Sequence, residues 1–370
     1  MTAKNVLGLV FSSAYDDNIR EMTGIRTMGS IPFAGRYRLI DFVLSNMVNC
    51  GMSKVGVITK SNYQSLMDHL GSGKAWDLSR KAEGMTILPP FNLGTGGMYK
   101  SRIEALANVM DYISQSKKDY VVLSDCNAVC NIDYGKLLDF HEEKGADITV
   151  AYKKGIVPAT EDRMVFGFEA DGKIKDVAIS PVAEGEADFS LNIIVISRVL
   201  LETLIKGAVS SNMTSFEKDI IQKNIGTYKI YGYEVEDYAK VIDSLQSYYD
   251  ISMALVDGDY RKLFSKERPV YTKVRDNMPT TYGLSSEANN SLVADGCIIK
   301  GKVENCILFR GVQIEEGAVV KNSILMQGAY IGANAKVNCA ILDKKVVVKP
   351  GRELTGAPTY PIYVGKQIIV

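Results

Sequence analysis

The sequence is short of the side chains that many catalytic and metal sites are built from. Its 370 residues include only two histidines, His69 and His141, and one tryptophan. No Cys/His spacing in it would close a tetrahedral site, so structural zinc is excluded. The six cysteines (Cys50, Cys126, Cys130, Cys297, Cys306 and Cys339) are scattered and form no Cys-x-x-Cys. That pattern reads as reduced thiols of a cytoplasmic protein, with Cys126 and Cys130 as buried small side chains. Neither sign of charge is in excess, because 43 basic and 43 acidic side chains cancel. Nucleic-acid and membrane-surface proteins carry a basic excess, so neither partner is expected. No apolar run approaches the roughly eighteen residues that span a bilayer. The N-terminus lacks the order of basic, apolar and small residues that marks a secretion signal.

What is present is core material in two textures. Hydrophobic residues make up 46% of the chain, and the length suits two domains. Up to about residue 260, short β-branched runs such as Val55–Thr59, Tyr120–Ser124 and Ile148–Tyr152 alternate with helical stretches such as 102–114 and 134–144. This alternation predicts a mostly parallel sheet covered by helices, with functional loops after Val10, Thr59, Ser124 and Val195. A last helix is expected to bury Ile242, Leu245, Tyr249, Met253 and Val256. Residues 264–291, with two X-Pro pairs among polar residues, read as a surface linker. Beyond them Val319, Leu325, Ile331 and Val337 recur every six positions, and Val312, Ala318, Ile324 and Tyr330 do so one step out. With turn glycines between them, this period predicts a parallel β-helix; a small antiparallel β domain is the alternative.

The first forty residues carry a contrast. Val6–Ser12 reads as a buried strand, and Ile31–Phe42 as the turn and helix start that frame a nucleotide pocket. Between them a glycine-rich phosphate loop is missing, and Ser12–Arg20 (SSAYDDNIR) stands in its place.

Pro32–Phe42 (PFAGRYRLIDF), Leu44-Ser-Asn, Trp76-Asp-Leu, Leu88-Pro-Pro, Ser323-Ile-Leu-Met, Ile331-Gly-Ala-Asn-Ala and Ile341-Leu-Asp-Lys together resemble the glucose-1-phosphate adenylyltransferases, or ADP-glucose pyrophosphorylases. The resemblance spans nearly the whole chain. It implies an α/β fold with a mostly parallel, Rossmann-like nucleotidyltransferase domain over 1–263, a linker over 264–291 and a left-handed parallel β-helix over 292–370. It also implies a reaction of ATP with glucose 1-phosphate, Mg²⁺ as cofactor, and a tetramer.

The departures from the family pattern are concentrated at the phosphates. Asp16 and Asp17 stand where phosphates would approach. A carboxylate ~4 Å from a phosphate costs about 4 kcal/mol at an effective dielectric near 20. Met28 takes the place of a lysine, Ser180 of the lysine on the sugar phosphate, and Tyr238 of a late metal aspartate, with Asp237 beside it. Asp125 aligns with the other metal aspartate among altered neighbours. Tyr99, Gly167 and Ser190 keep the positions that contact the sugar phosphate. Such a pattern resembles the GlgD-type branch of the family, whose members are regarded as non-catalytic or weakly catalytic modulators of a catalytic partner. No catalytic residue, metal or cofactor is then expected in this chain alone. Mg²⁺ belongs to the catalytic partner in a hetero-oligomer, and a sugar phosphate is a candidate ligand.

The individual residues keep two readings. Arg36 and Arg38 touch an anion or a partner, or they pair locally with Asp41 at a helix start. Asp16 and Asp17 are more simply solvated loop carboxylates or an N-cap. Lys60 is exposed without a role or reaches a phosphate; with Asp125 and Asp237 it would form the rearranged site of an active enzyme. His69 and His141 are structural. An acyltransferase, the other common owner of hexad β-helices, needs a histidine base, and none follows His141.

Overall fold

A strand buried on both faces must be apolar throughout, and all six residues of Val6–Phe11 are buried. It is the central strand of the computed structural model, which describes residues 2–90, 99–181 and 185–370. The nine strands of the main sheet are β1 (Val6–Phe11), β2 (Lys54–Ile58), β3 (Gly84–Leu88), β4 (Tyr120–Asp125), β5 (Ile148–Ile156), β6 (Met164–Phe168), β7 (Ile174–Ile179), β8 (Glu186–Ser197) and β9 (Ile230–Glu234). They lie in the order β9-β5-β8-β4-β1-β2-β3, with β6 joined to β8 and β7 to β6. The run β4-β1-β2-β3 is parallel, as is β5-β9. The chain leaves β1 toward β2 on one side and returns to β4 on the other. The crevice between the ends of β1 and β4, where Phe11 and Asp125 are register partners, is therefore a topological switch point.

One expected loop is misplaced. Strand β8 runs antiparallel to β4, with Val195 opposite Val122. The loop after Val195 therefore opens at the wrong edge, and the first half of β8, with Ser190, borders the crevice. A register shift between Ser190 and Ile193, with Asn192 at φ 54°, bends the strand there. The stretch 102–114 is two helices, Arg102–Asn108 and Met110–Gln115, broken at Val109.

The β-helix starts earlier than the texture suggested. Thr281–Tyr282 and Glu287–Asn289, inside the expected linker, already pair in parallel with the next coil. The repeat is also one residue short of three hexads. Ile307, Ile324 and Ile341 stack 17 residues apart, as do Val303, Val320 and Val337. A 17-residue coil makes a strict six-residue period slip by one each turn, which is why two registers of hexads were visible. At one corner the side-chain amides of Asn290, Asn305 and Asn322 donate up the stack to the Oδ1 atoms of Asn305, Asn322 and Asn338, at 2.8, 3.3 and 3.0 Å. The first three hold φ of 41–51°, a left-handed region that asparagine tolerates.

The two architectures share a core. Ile19, Met22, Phe33, Phe42 and Tyr248 pack with Ile307, Phe309, Ile324, Met326 and Ile341 of the β-helix. Through this apolar seam runs one ion pair: Arg26 Nη2 donates to Asp343 Oδ1 at 2.9 Å and Oδ2 at 2.8 Å, with the two side chains 2% and 0% exposed. Asp343 also accepts from the Tyr363 hydroxyl and from the Lys344 N–H. Tyr249 donates across the seam to the Asn322 carbonyl, while Tyr248 donates to the Pro32 carbonyl within the sheet domain.

Removing one partner of a buried pair strands the other charge, so Arg26→Met is expected to cost about 3–5 kcal/mol. The double variant Arg26→Met/Asp343→Leu is expected to recover much of that loss. Urea unfolding of the three proteins measures it.

Candidate functional site

At the switch point a buried arginine is clasped by two carboxylates of the protein itself. Arg102 opens the short helix Arg102–Asn108, whose N-cap Ser101 accepts from the Glu104 N–H. Its guanidinium lies 4.6 Å from the Phe11 ring centroid and 5.9 Å from that of Phe216. It binds Asp125 in a fork, Nη1 to Oδ1 at 3.0 Å and Nη2 to Oδ2 at 2.8 Å, and donates from Nε to Glu217 Oε1 at 3.1 Å. Glu217 reaches in from a π-helical turn, Phe216–Ile221, capped by Ser215. Arg102, Asp125 and Glu217 are 9%, 0% and 7% exposed at the side chain. Burial pushes the Glu217 carboxyl up, and Arg102 opposes that shift. Both Asp125 oxygens are engaged, so the set does not fit Mg²⁺, which needs free carboxylate oxygens in an octahedral shell.

The loop that replaces the glycine-rich turn is folded inward. Ser12 donates to the Ile58 carbonyl at 2.8 Å, and Tyr15 is buried. Asp16 is not the solvated carboxylate expected. It is half-buried and accepts the Met28 N–H at 2.6 Å, and burial pushes its carboxyl up to about 7. A loop built of donors has become one that uses an acceptor to tie itself down. Asp17, by contrast, is exposed and pairs with Arg20.

The retained sugar-phosphate positions are partly spent. The Ser190 hydroxyl donates to Asn192 Oδ1 and accepts the Asn192 N–H at 2.9 Å; Asn192 Nδ2 donates to the Tyr15 hydroxyl. Tyr99 is half-buried near Asp16, and burial holds its phenol well above the usual range. Gly167 is half-buried on β6, and a Cβ there would make only ordinary contact, 3.6 Å from Asp176 Cβ. The degenerate positions carry no charge to the crevice. Met28 is buried with Ile19 and Met22; Ser180 is exposed at the end of β7; Tyr238 packs against the seam between the two architectures. Asp237 pairs with Arg268 at 3.0 Å, and Asp125 with Arg102. Lys60 lies near Asp16. Asp125, Asp237 and Lys60 thus have separate partners.

A second site sits where the sheet domain meets the β-helix. Arg36, Arg38, Lys273, Arg275, Arg310 and Lys344 line one pocket, with His69, and no acidic side chain lines it among the described residues. Arg36 is exposed and lies over the Tyr37 ring. Arg38 does more than pair locally: its Nη1 donates to the Ser65 carbonyl and hydroxyl, while its N–H caps onto Asp41 Oδ2. The other Asp41 oxygen holds His69, which gives that histidine its structural role. His141 likewise bonds Thr149 Oγ1 at 2.7 Å. Burial, with Arg38 and Arg26 nearby, lowers the Lys344 ammonium to about 7.

Sequence reasoning found Arg36 and Arg38 but missed Lys273, Arg275, Arg310 and Lys344, which only the fold brings to them. It also missed Arg102 and Glu217. The Ser101-x-x-Glu104 pattern marks the helix start but not what its first residue reaches.

Comparison with known proteins agrees with both architectures. Residues 19–179 match the nucleotidyl transferase family, and residues 278–357 match the GlmU-like C-terminal hexapeptide family. The glycogen biosynthesis protein GlgD of Bacillus subtilis (strain 168) is 36% identical over 370 residues, 100% of this chain and 98% of that protein. The protein of the same name from Geobacillus stearothermophilus is 37% identical over 85% of this chain and 82% of its own. The glucose-1-phosphate adenylyltransferase of Fervidobacterium nodosum is 32% identical over 94% of this chain and 85% of its own. With the strand order, the switch-point crevice and the β-helix in place, the chain belongs to the glucose-1-phosphate adenylyltransferase family and to its GlgD-type branch.

Proposed function

We propose that this chain acts in glycogen biosynthesis as a non-catalytic or weakly catalytic regulatory subunit that binds a catalytic glucose-1-phosphate adenylyltransferase and modulates its output of ADP-glucose and pyrophosphate. The observation that carries this reading is the engagement of Asp125 by Arg102 at the switch point. ATP and glucose 1-phosphate repel each other strongly, and a metal or a cradle of N–H groups and lysines must offset that repulsion. Here the loop is tied down by Asp16, Met28 is in the core, and the fork of Arg102 is closed on carboxylates. Met28→Lys would place an ammonium among Ile19 and Met22, so it is expected to destabilise the fold rather than revive the site.

The modulating signal in this reading is an anion such as a sugar phosphate, taken by the pocket of Arg36, Arg38 and Lys344 between sheet domain and β-helix. A ligand there touches both architectures, so its binding reaches whichever surface holds the partner. The assembly is a hetero-oligomer, a tetramer by analogy with the family.

Two measurements bear on this. The chain alone is expected to give no ADP-glucose above background, and its addition to the catalytic homologue to shift maximal rate or activator sensitivity severalfold. Turnover by the chain alone at about 1–10³ s⁻¹, the ordinary enzymatic range, would contradict the proposal. For the pocket, sulfate is a probe whose charge stays constant between about pH 6 and 9. Lys344 is charged below about 7 and loses its proton above. Sulfate protection against heat, relative to chloride at equal ionic strength, is therefore expected to be larger at about pH 6 than at about pH 8.5. Lys344→Met is expected to flatten that difference.

A further inference from the structure

We infer that Arg102 is a built-in counter-ion: its guanidinium occupies the place between Asp125 and Glu217 that a divalent cation would otherwise take, so the native chain holds its cation covalently and has no vacancy for a soluble one. The inference concerns the switch-point crevice alone and stands whether or not the chain regulates a partner.

Three observations meet here. First, the location is the one where a doubly wound sheet puts its ligand, since Phe11 and Asp125 end adjacent parallel strands at the reversal of strand order. Second, Asp125 is fully buried, and Glu217 nearly so. Two carboxylates at such depth keep their charge only with a cation between them, and Arg102 opposes the protonation that burial favours at Glu217. Third, the cation present is well fitted. It makes three charge-assisted bonds of 2.8–3.1 Å, and its faces are covered by Phe11 and Phe216. A guanidinium carries one charge and is planar. A divalent ion carries two and draws oxygens inward to about 2.0–2.1 Å for Mg²⁺. The fork therefore satisfies the two buried acids without supplying the charge that bridges phosphates. The arrangement keeps the architecture of a cation-bearing crevice while removing its exchangeable ion.

The same geometry predicts a reciprocal behaviour. Truncating Arg102 leaves two buried carboxylates converging on an emptied volume, which a small divalent ion and its waters can fill. Mn²⁺ is the probe, followed by electron paramagnetic resonance of the free ion and by thermal unfolding of the full chain. Wild type is expected to show no saturable Mn²⁺ binding at millimolar concentration and no melting shift. Arg102→Ala is expected to melt several degrees lower without Mn²⁺ and to recover most of that loss, saturably, with it. The variant Arg102→Ala/Asp125→Asn/Glu217→Gln, with no charges left to balance, is expected to fold without Mn²⁺ and to ignore it. Arg102→Lys keeps the positive charge but loses the planar fork, and is expected to melt below wild type while remaining indifferent to Mn²⁺. Saturable Mn²⁺ binding by wild type that Asp125→Asn abolishes would overturn the inference. So would a folded Arg102→Ala protein indifferent to Mn²⁺, or a triple variant that responds as the single one does. Should Arg102→Ala fold only in Mn²⁺, that dependence is itself the expected result; failure in both conditions while the triple variant folds normally would overturn it.

Discussion

A guanidinium clasped by two buried carboxylates is the constraint around which the crevice is organised. Asp125 ends the strand beside β1 with no access to water, where an ionised carboxylate is stabilised by a cation facing it. Arg102 supplies that cation, and the surroundings follow. Phe11 and Phe216 cover its faces, Glu217 takes its third bond, and Ser101 caps the helix that presents it. Tyr15 is drawn into the same buried field and its phenol is held well above the usual range by burial and by Asp125. The loop Ser12–Arg20 is tied down within the chain. It turns an acid, Asp16, onto the N–H of Met28. Each departure makes sense beside the others.

The opposite face of the first segment keeps its charge available. The stretch that ends the loop continues through Arg26 into the β-helix seam, and then through Arg36 and Arg38 into the cationic pocket. The pocket depends on the seam, because Arg36 and Arg38 come from the sheet domain while Arg310 and Lys344 come from coils of the β-helix. Asp343, the residue before Lys344, is committed to Arg26 and Tyr363, so it offers the pocket no free carboxylate. The molecule thus pairs the charges of one site with its own side chains and, among the described residues, lines another with six cationic side chains and no acidic one. That division is what the proposed regulatory role draws on.

How much of this the sequence disclosed depended on the distance over which residues act. Strands β1, β2, β4 and β5 were legible because β-branched runs declare themselves locally, and the β-helix because its coils repeat. Its 17-residue turn and its asparagine ladder were not read, since a period of six hides a slip of one residue per coil, and a ladder appears only when coils are stacked. The direction of β8 was misread for a related reason: a buried apolar run looks the same running either way. Asp16 was expected in solvent because loop carboxylates usually are, and only the position of Met28 reveals its bond. Arg102 lay beyond reach. Its partners are 23 and 115 positions away, and a helix-start arginine announces neither.

The central claim is that the crevice is closed to nucleotide by the chain's own cation. Calorimetric titration of the wild-type chain with ATP in excess Mg²⁺ tests it most directly. The account predicts no saturable heat at the crevice, with any residual binding abolished by Arg36→Ala and Lys344→Met in the other pocket. Stoichiometric, Mg²⁺-dependent binding that survives those substitutions and disappears with Asp125→Asn would contradict it.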